Sequence, residues 1–333
     1  MLMIQFQFID ENRKLIVGVG SALIDILTHE EEQFLKKTGA VKGGMTYVDK
    51  KFIEQTLGHS TGNPIMVPGG SACNTVVGIG KLGGAARFVG KCGNGQMGNL
   101  FEKNLRRQNV EPLLFRSESP TGRVLSIITP DAQRSMFTYL GASAEARPEE
   151  INGRYFENAA IVHIEGYLLF NPDLIRAVLI AAKASGAAIS LDLASFTVVN
   201  EFGGVLKKMV NEFVDILLAN EDEALAYTGH SDENSALQSL AGEVPIAVLK
   251  VGARGSYIAH DGKKIAIEPK GDGQAVDTTG AGDLWASGFL YGLVNGYPLE
   301  KCGELGSACG YEVCQVVGIS IPEEGWQRIK KLF

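Results

Sequence analysis

The segment from Asp277 to Asp283 (DTTGAGD) combines a glycine-rich turn with carboxylates, and the apolar stretch LWASGFLYGLVNG follows it directly. Small residues just before a helix leave backbone N–H groups without intrahelical partners, at the positive end of the helix dipole. Such a turn binds anions, and phosphate above all. We therefore expect the backbone amides of Gly280, Ala281 and Gly282 to hold a phosphate group.

Asp283 lies in the first turn of that predicted helix. A carboxylate at this position could simply be favoured by the helix dipole. Next to an anion-binding turn, however, it repels the ligand unless it takes part in the chemistry. Holding a hydroxyl group in line with a phosphoryl group and accepting its proton is such a role. We interpret Asp283 as this base.

A second glycine cluster, Pro68–Asn74 (PGGSACN), leads into another helix of small residues. The pair Gly69 and Gly70 lets the backbone approach a ligand closely, and the Asn74 side chain can donate and accept hydrogen bonds. A plain turn before a helix explains the same residues equally well. Asp25 follows the first predicted strand and would lie at the same edge, although alone it is an ordinary loop acid.

Other phosphate-binding signatures are absent from the sequence. It contains no GxxxxGK[ST] segment and no HRD or DFG set, which excludes a P-loop enzyme and a protein-kinase-like enzyme. Gly18 and Gly20 form a GxG pair, but Leu23 stands where a dinucleotide-binding motif has its third glycine. A tight turn after the first strand is the better interpretation.

The elements that must position these residues alternate from about residue 155 onward. Short apolar runs predict strands at 159–165, 187–193, 214–219 and 246–251. Segments with helical periodicity predict helices at 172–185, 203–213, 221–228, 282–295 and 299–317. This α/β pattern indicates a mostly parallel sheet covered by helices on both faces. The carboxyl ends of its strands would share one edge, where ligands bind in such folds.

Two segments interrupt this pattern because they lack helical periodicity. The second of them alternates apolar and polar residues on both sides of the turn residues 130–133, which predicts a β-hairpin. We expect a small β-sheet lid over the site, formed by 41–49 and 112–142. The large α/β domain would then comprise 1–40, 50–111 and 143–333.

Net charge, apolar stretches and cysteine spacing indicate which kinds of partner and which cell compartment to expect. The net charge of −7 argues against nucleic acid as the main partner. No stretch of about 18 uncharged apolar residues predicts a membrane span, and the first residues do not resemble a signal peptide. The five cysteines show no CxxC spacing and are typical of reduced thiols. We expect a cytoplasmic protein that acts on a small molecule.

Four segments occur together and in a fixed order: GVGSALIDI at 18–26, PGGSACN at 68–74, NEDE at 220–223 and DTTGAGD at 277–283. They resemble the PfkB/ribokinase family of sugar and nucleoside kinases, over about residues 14–320. KGGMTYVD at 42–49 and TPDAQRSMFTYLGAS at 129–143 resemble a bacterial subgroup that is adenosine-kinase-like. The resemblance implies a ribokinase-like fold.

The resemblance also implies roles for individual residues. It agrees with Asp283 as the base and with an anion hole at Gly280, Ala281 and Gly282. Substrate hydroxyl groups would be held by Asp25, Gly69, Gly70 and Asn74. ATP would be bound by Asn220, Lys250, Gly252, Gly255, Thr278 and Ser307.

Metal ions enter through the same resemblance. Glu223, together with Asn220, matches an NxxE element that orders Mg²⁺ and its waters around the triphosphate, although NEDE alone also fits an ordinary helix N-cap. Some members bind a monovalent cation near the positions matching Asp277–Thr279, and whether this chain does so is left open.

The implied activity is ATP-dependent transfer of the γ-phosphoryl group to a primary hydroxyl group of a sugar or nucleoside, with an adenosine-like substrate favoured. Ser71 stands in place of the ribokinase-type lysine, which argues against a strict ribokinase specificity. The alternatives are a kinase for a free sugar such as ribose, fructose or 2-keto-3-deoxygluconate, and a non-catalytic sugar- or nucleotide-binding protein. A homodimer would follow if the lid exposes an apolar face.

Overall fold

A computed structural model describes residues 8–39, 42, 44–131, 134–271 and 273–333 of the chain. Within these ranges the strands are β1 (Leu15–Val19), β2 (Leu23–His29), β3 (Met45–Tyr47), β4 (Ile65–Gly69), β5 (Ala86–Gly93), β6 (Val110–Ser117), β7 (Thr121–Ile128), β8 (Arg134–Gly141), β9 (Ala159–Glu165), β10 (Ala188–Asp192), β11 (Ile216–Asn220), β12 (Ile246–Lys250), β13 (Ser256–His260) and β14 (Lys263–Ile267). The α-helices are α1 (Glu32–Thr38), α2 (Lys50–Gly58), α3 (Ser71–Leu82), α4 (Gln96–Arg107), α5 (Pro172–Ala184), α6 (Phe196–Phe213), α7 (Glu221–Thr228), α8 (Glu233–Ala241), α9 (Ala281–Val294), α10 (Leu299–Cys314) and α11 (Glu323–Lys330).

The described strands form two sheets. The larger has the order β14-β13-β12-β11-β10-β9-β1-β5-β6, and every pair from β12 to β6 is parallel. Helices α5 to α8 pack on one face of this sheet, and α3, α4, α9 and α10 pack on the other. The prediction of a mostly parallel sheet covered on both faces is confirmed. Its antiparallel edge, β13 and β14, was not predicted.

Local signals explain where several helices begin. Helix α6 starts at Phe196, earlier than the predicted residue 203, because the Ser195 side chain accepts a hydrogen bond from the Thr197 amide and caps the helix. Helix α10 ends at Cys314 rather than at residue 317. None of the described helices combines the length and the apolar character that crossing a bilayer would require.

The smaller sheet has the order β3-β8-β7-β2-β4 and contains the predicted hairpin, β7 paired with β8. Residues 1–7, 40, 41, 43, 132 and 133, which fall in the predicted segments, lie outside the described residues.

The predicted boundaries between the large α/β domain and the β-sheet lid are wrong for three strands. Strands β2 and β4 belong to the smaller sheet although both lie in segments assigned to the large domain, and β6 belongs to the larger sheet although most of it was assigned to the lid. Strand β6 pairs in parallel with β5 after the α4 crossover, a long-range contact that its partly exposed sequence does not reveal. Only Gly20–Ala22 separate β1 from β2, so the chain changes sheets without a linker.

Close packing fixes the position of α9, which begins at the glycine-rich turn. A Cβ atom on Gly288 would lie 2.4 Å from the Leu305 carbonyl oxygen, so only glycine lets α9 approach α10 this closely. Trp285 lies against Gly306 in the same way, with a Cβ there only 2.8 Å from the indole ring. These contacts fix the position of α9 against α10.

Candidate active site

A cavity of about 860 Å³ lies where the parallel strands of the large sheet end, and the smaller sheet forms its other wall. Four consecutive strands of the large sheet, β9 to β12, each place their last residue on its lining: Glu165, Asp192, Asn220 and Lys250. The smaller sheet contributes Met45, Arg134, Met136, Thr138 and Leu140. This position of the cavity agrees with the prediction that ligands bind where the parallel strands end.

The structure brings nearly all of the sequence-predicted site residues to this one cavity. Those on its lining are Asp25, Gly70, Asn74, Asn220, Glu223, Lys250, Gly252, Gly255, Thr278, Gly280, Ala281, Gly282, Asp283 and Ser307. Gly69 is not on the lining and lies behind Asp25. A Cβ atom on Gly69 would be 2.4 Å from the Asp25 carboxyl carbon, so glycine makes room for that carboxyl group.

The Asp283 carboxyl group joins the amino ends of two helices. One oxygen, Oδ1, accepts a hydrogen bond of 2.7 Å from the Ser71 hydroxyl, and Oδ2 accepts one of 2.8 Å from the Asn74 amide nitrogen. Burial raises the pKa of Asp283, and these two hydrogen bonds oppose the rise. The result is a carboxylate that is held in one orientation and is more basic than a free aspartate.

The Asn74 side chain has a second polar atom to offer. Its Oδ1 is buried and has no hydrogen-bond partner among the described residues. Since Nδ2 is fixed by Asp283, Oδ1 is oriented and is available to accept a hydrogen bond from a ligand hydroxyl group.

The glycine-rich turn corrects one part of the sequence prediction. Gly280 adopts φ +71°, a conformation that favours glycine. The Ala281 amide is not free, because it donates a hydrogen bond of 3.2 Å to the Thr278 carbonyl group. The amides of Gly280 and Gly282 have no acceptor among the described residues. Two amides rather than three are therefore available to an anion.

The Asp277 carboxylate shapes this turn. Its Oδ1 accepts hydrogen bonds from the Thr279 amide, at 2.9 Å, and from the Thr279 hydroxyl, at 2.6 Å. Its Oδ2 accepts a hydrogen bond of 2.8 Å from the Gly318 amide. Asp277 thus stabilises the turn, and the monovalent cation stays a prediction of the sequence.

An ion pair lies beside the turn. The Lys250 ammonium group is 2.8 Å from Asp192 Oδ2, and a Cβ atom on Gly282 would be 3.1 Å from Lys250 Nζ. Burial is the largest influence and lowers the pKa of Lys250, but the carboxyl groups of Asp192, Glu223 and Asp283 together outweigh it, so the net pKa is raised. For Asp192, burial raises the pKa, and Lys250 brings it below its ordinary value. Both groups are therefore charged.

Asn220 and Glu223 form a reciprocal cap on α7. The Asn220 side chain accepts from the Glu223 amide at 2.9 Å, and the Glu223 carboxylate accepts from the Asn220 amide at 2.8 Å and from its side chain at 2.7 Å. The ordinary capping interpretation of NEDE is thus correct. Burial, together with the charge of Asp192, also raises the pKa of Glu223 to about 7.

Arg134 connects the smaller sheet to the site. It extends from β8 and donates a hydrogen bond to the Thr279 hydroxyl. Burial raises the pKa of Asp25 to about 6, while Arg134 acts against the rise and Asp283 adds to it. Arg134 could not be singled out from the sequence, because it lies within a hairpin whose alternation indicates only a lid.

Comparison with known proteins decides what kind of site this is. A family described as pfkB family carbohydrate kinase matches residues 39–325. The chain belongs to that family. The structure of a probable sugar kinase from Rhizobium etli CFN 42 is 32% identical with a TM-score of 0.89, and that of adenosine kinase from Sinorhizobium meliloti is 30% identical with a TM-score of 0.88. Each comparison covers 96% of this chain and 99% of the other.

A curated relative adds a second kind of substrate. The 5-dehydro-2-deoxygluconokinase of Geobacillus thermodenitrificans is 27% identical over 256 residues, which cover 72% of this chain and 76% of that protein. The expected ribokinase-like fold and PfkB membership are confirmed. This chain is a kinase of the sugar and nucleoside class that uses ATP.

The PfkB kinase contains a buried carboxylate that the sequence analysis missed. Glu165 Oε1 accepts a hydrogen bond of 2.8 Å from the Ser21 amide, and Oε2 accepts one of 3.0 Å from the Ala72 amide. These contacts connect the turn after β1 with the start of α3, which carries Asn74. Burial raises the pKa of Glu165 to about 7, and the two amide hydrogen bonds act against the rise.

We expect Glu165 to make stability depend on pH. Its pKa is raised from 4.5 in the unfolded chain to about 7 in the folded protein, so the folded state holds a proton that the unfolded state has lost. The stabilisation is present below about pH 4.5 and is lost as the pH rises through 7. Glu165→Gln should reduce the difference in unfolding free energy between pH 5 and pH 8 by about 2 to 3 kcal/mol.

Urea unfolding at the two pH values measures this difference. Glu149→Gln, at an exposed position, is the matched control and should behave like the wild type. An unchanged pH dependence in Glu165→Gln would show that Glu165 does not titrate in this range.

Proposed function

We propose that this PfkB kinase phosphorylates a primary hydroxyl group of a nucleoside and that Asp283 is its catalytic base. The observation that carries the proposal is the position of the Asp283 carboxyl group. It lies in the same cavity as the free amides of Gly280 and Gly282, which precede it in the chain by three residues and by one residue. One feature can hold the terminal phosphate while the other receives the proton.

The proposed reaction is a single in-line displacement. The substrate hydroxyl oxygen forms a bond to the γ-phosphorus atom, the bond from that phosphorus to the bridging oxygen breaks, and ADP leaves. The hydroxyl proton passes to Asp283, late in a loose transition state. The raised pKa of Asp283 makes it a better acceptor than an ordinary aspartate. The amides of Gly280 and Gly282 stabilise charge on the phosphoryl oxygens.

We assign the remaining predicted residues to the acceptor or to ATP as the family resemblance implies. Asn74 contacts Asp283 directly, and together with Asp25 and Gly70 on the same cavity it would hold substrate hydroxyl groups. Gly69 would act only through the room it gives Asp25. The ATP side would comprise Asn220, Lys250, Gly252, Gly255, Thr278 and Ser307. Asp283 accepts a hydrogen bond from Asn74 and interacts electrostatically with Lys250, so it would lie between the acceptor and ATP.

The donor set fits Mg²⁺ held through water. The described residues include no group of three or more acidic, histidine or cysteine side chains that could enclose a metal. Mg²⁺ usually keeps several waters and uses one or two carboxylates together with substrate phosphates. Glu223 would hold those waters, and the bound ion would neutralise phosphate charge.

We assign to the smaller sheet a role in excluding water from the cavity. Arg134 already contacts Thr279 across the cavity, so this sheet and the glycine-rich turn are in direct contact. Water that is kept away from the γ-phosphate cannot compete with the substrate hydroxyl.

The cavity wall favours a nucleoside over a free sugar. Met45, Tyr47 and Phe170 line it, and the rings of Tyr47 and Phe170 pack edge to face with centroids 5.6 Å apart. An apolar aromatic wall suits the flat face of a base better than a polyol. The adenosine kinase of Sinorhizobium meliloti supports this choice. The 5-dehydro-2-deoxygluconokinase supports the alternative, a free-sugar kinase.

A non-catalytic binding protein is disfavoured because a buried carboxylate beside an anion site weakens phosphate binding without any gain. A cytoplasmic location and a homodimer stay predictions of the sequence.

Asp283→Asn tests the assignment of the base. It should lower kcat by about 10³-fold or more, since Asn retains the size of the side chain and cannot accept the proton. The ATP affinity, measured by calorimetry, should stay within a few-fold of the wild-type value. Asp173→Asn, at an exposed position on α5, is the control and should not alter kcat. A near-normal kcat in Asp283→Asn would remove Asp283 from the mechanism.

A substrate panel tests the substrate class. ADP formation is measured with adenosine, other nucleosides, ribose, fructose and 2-keto-3-deoxygluconate. We expect the highest kcat/KM with a nucleoside. Phe170→Ala should then raise the KM for that nucleoside about tenfold and leave the weak turnover of a free sugar unchanged, because only the base reaches the aromatic wall. A free sugar as the best substrate would support the alternative, and no turnover with any acceptor would support the binding protein.

A further inference from the structure

Asp192 and Lys250 form an ion pair in the cavity, and the proposed mechanism gives Asp192 no role. The two residues end β10 and β12, which are separated in the sheet by β11. Their side chains reach across β11 and meet at 2.8 Å, where both are largely buried. The family resemblance implies a place near ATP for Lys250 and no role for Asp192.

Lys250 points at the anion-binding turn. Its Nζ would be only 3.1 Å from a Cβ atom on Gly282, whose amide is free. A phosphoryl oxygen that accepts a hydrogen bond from that amide would therefore also lie near the ammonium group. Lysine at such a place contributes a point charge to phosphate binding.

The ammonium group has competing partners. The charges of Asp283 and Glu223 act on Lys250 in addition to that of Asp192, and Asp192 in turn is influenced by His163 on β9. A lysine side chain is flexible, so without a fixed partner its ammonium group could turn to Asp283 and form an ion pair with the base. An ion pair there would lower the ability of Asp283 to accept a proton.

We propose that Asp192 is a positioning residue that holds the Lys250 ammonium group over the Gly282 amide, where it contacts the γ-phosphoryl group, and away from Asp283. This inference rests on the proposed kinase mechanism. Asp192 and Lys250 then act as one unit, with Lys250 touching ATP and Asp192 acting only through it.

The two carboxyl oxygens of Asp192 have different partners, so a substitution can remove one contact and keep the other. Oδ2 pairs with Lys250, whereas Oδ1 accepts a hydrogen bond of 2.9 Å from the Ala194 amide. Ala194 adopts φ +64°, so this second bond stabilises an unusual turn. Asp192→Asn keeps an oxygen for Ala194 and removes the charge that holds Lys250.

The test compares Asp192→Asn, Lys250→Met and the double variant with the wild-type chain. Each single variant should lower kcat about 10² fold and change the KM for the acceptor little, since the lost contact is to the transferring group. The double variant should be no slower than Lys250→Met alone, because Asp192 acts only through Lys250.

Nucleotide binding gives a readout that does not depend on turnover. Trp285 lines the cavity, and its fluorescence in a Trp326→Phe background reports binding of AMP-PNP and of ADP. We expect Asp192→Asn to weaken AMP-PNP binding about tenfold and to leave ADP binding unchanged, because only AMP-PNP carries a γ-phosphoryl group. A purely structural role would weaken both alike or neither.

The chain offers a matched control. Asp215 and Lys183 form another ion pair, at 3.4 Å. Asp215 lies at the amino end of β11, whereas Asp192 and Lys250 lie at the carboxyl ends of their strands. Asp215→Asn should lower the unfolding midpoint and leave kcat and both nucleotide affinities unchanged.

The outcomes distinguish a failure of the Asp192 positioning role from a failure of the proposed kinase function. If the wild type turns over an acceptor and Asp192→Asn matches it in kcat and in AMP-PNP affinity, the positioning role is wrong and the kinase mechanism stands. Additive losses in the double variant would also overturn it. If the wild type turns over no acceptor, the proposed function itself fails.

Discussion

The arrangement of this active site depends on the hydrogen bonds that the Asp283 carboxyl group accepts from Ser71 and Asn74. Asp283 lies in the first turn of α9, and the two donors lie in the first turn of α3. The same contacts therefore join two helix amino ends and orient the carboxylate. Because α9 is also held against α10 at Gly288, the base cannot shift without disturbing the packing of the large domain.

Burial of several charges around one cavity sets the chemistry. The pKa values of Asp25, Glu165 and Glu223 are each raised, and in every case burial is the largest cause. Asp192 differs because Lys250 lies in contact with it. The cavity thus contains carboxyl groups that accept a proton more readily than usual beside Asp192, which accepts one less readily.

Much of this site could be predicted because its signals are local. A glycine-rich turn before a helix determines where the free amides and Asp283 lie, whatever the rest of the fold does. The apolar runs likewise predicted the strands whose ends carry Asn220 and Lys250. Most of what sequence reasoning missed depends on contacts between distant segments. The reach of Arg134 from the smaller sheet and the sheet membership of β6 are not encoded by any short pattern. The hydrogen bond from the Ala281 amide to Thr278 lies within the turn itself, and it follows from a backbone conformation that the motif alone does not show. Asp192 is the exception, since its position at a strand end was visible in the sequence.

The most direct test of the central claim is a crystal structure of the kinase with ADP, aluminium fluoride and its best acceptor, which together mimic the transition state. We predict that the reacting hydroxyl oxygen lies about 2.6 to 3.2 Å from an Asp283 carboxyl oxygen. The fluoride ligands should accept hydrogen bonds from the amides of Gly280 and Gly282. An acceptor hydroxyl in contact with a different base, or a fluoride group remote from those amides, would show that Asp283 and the glycine-rich turn do not have these roles.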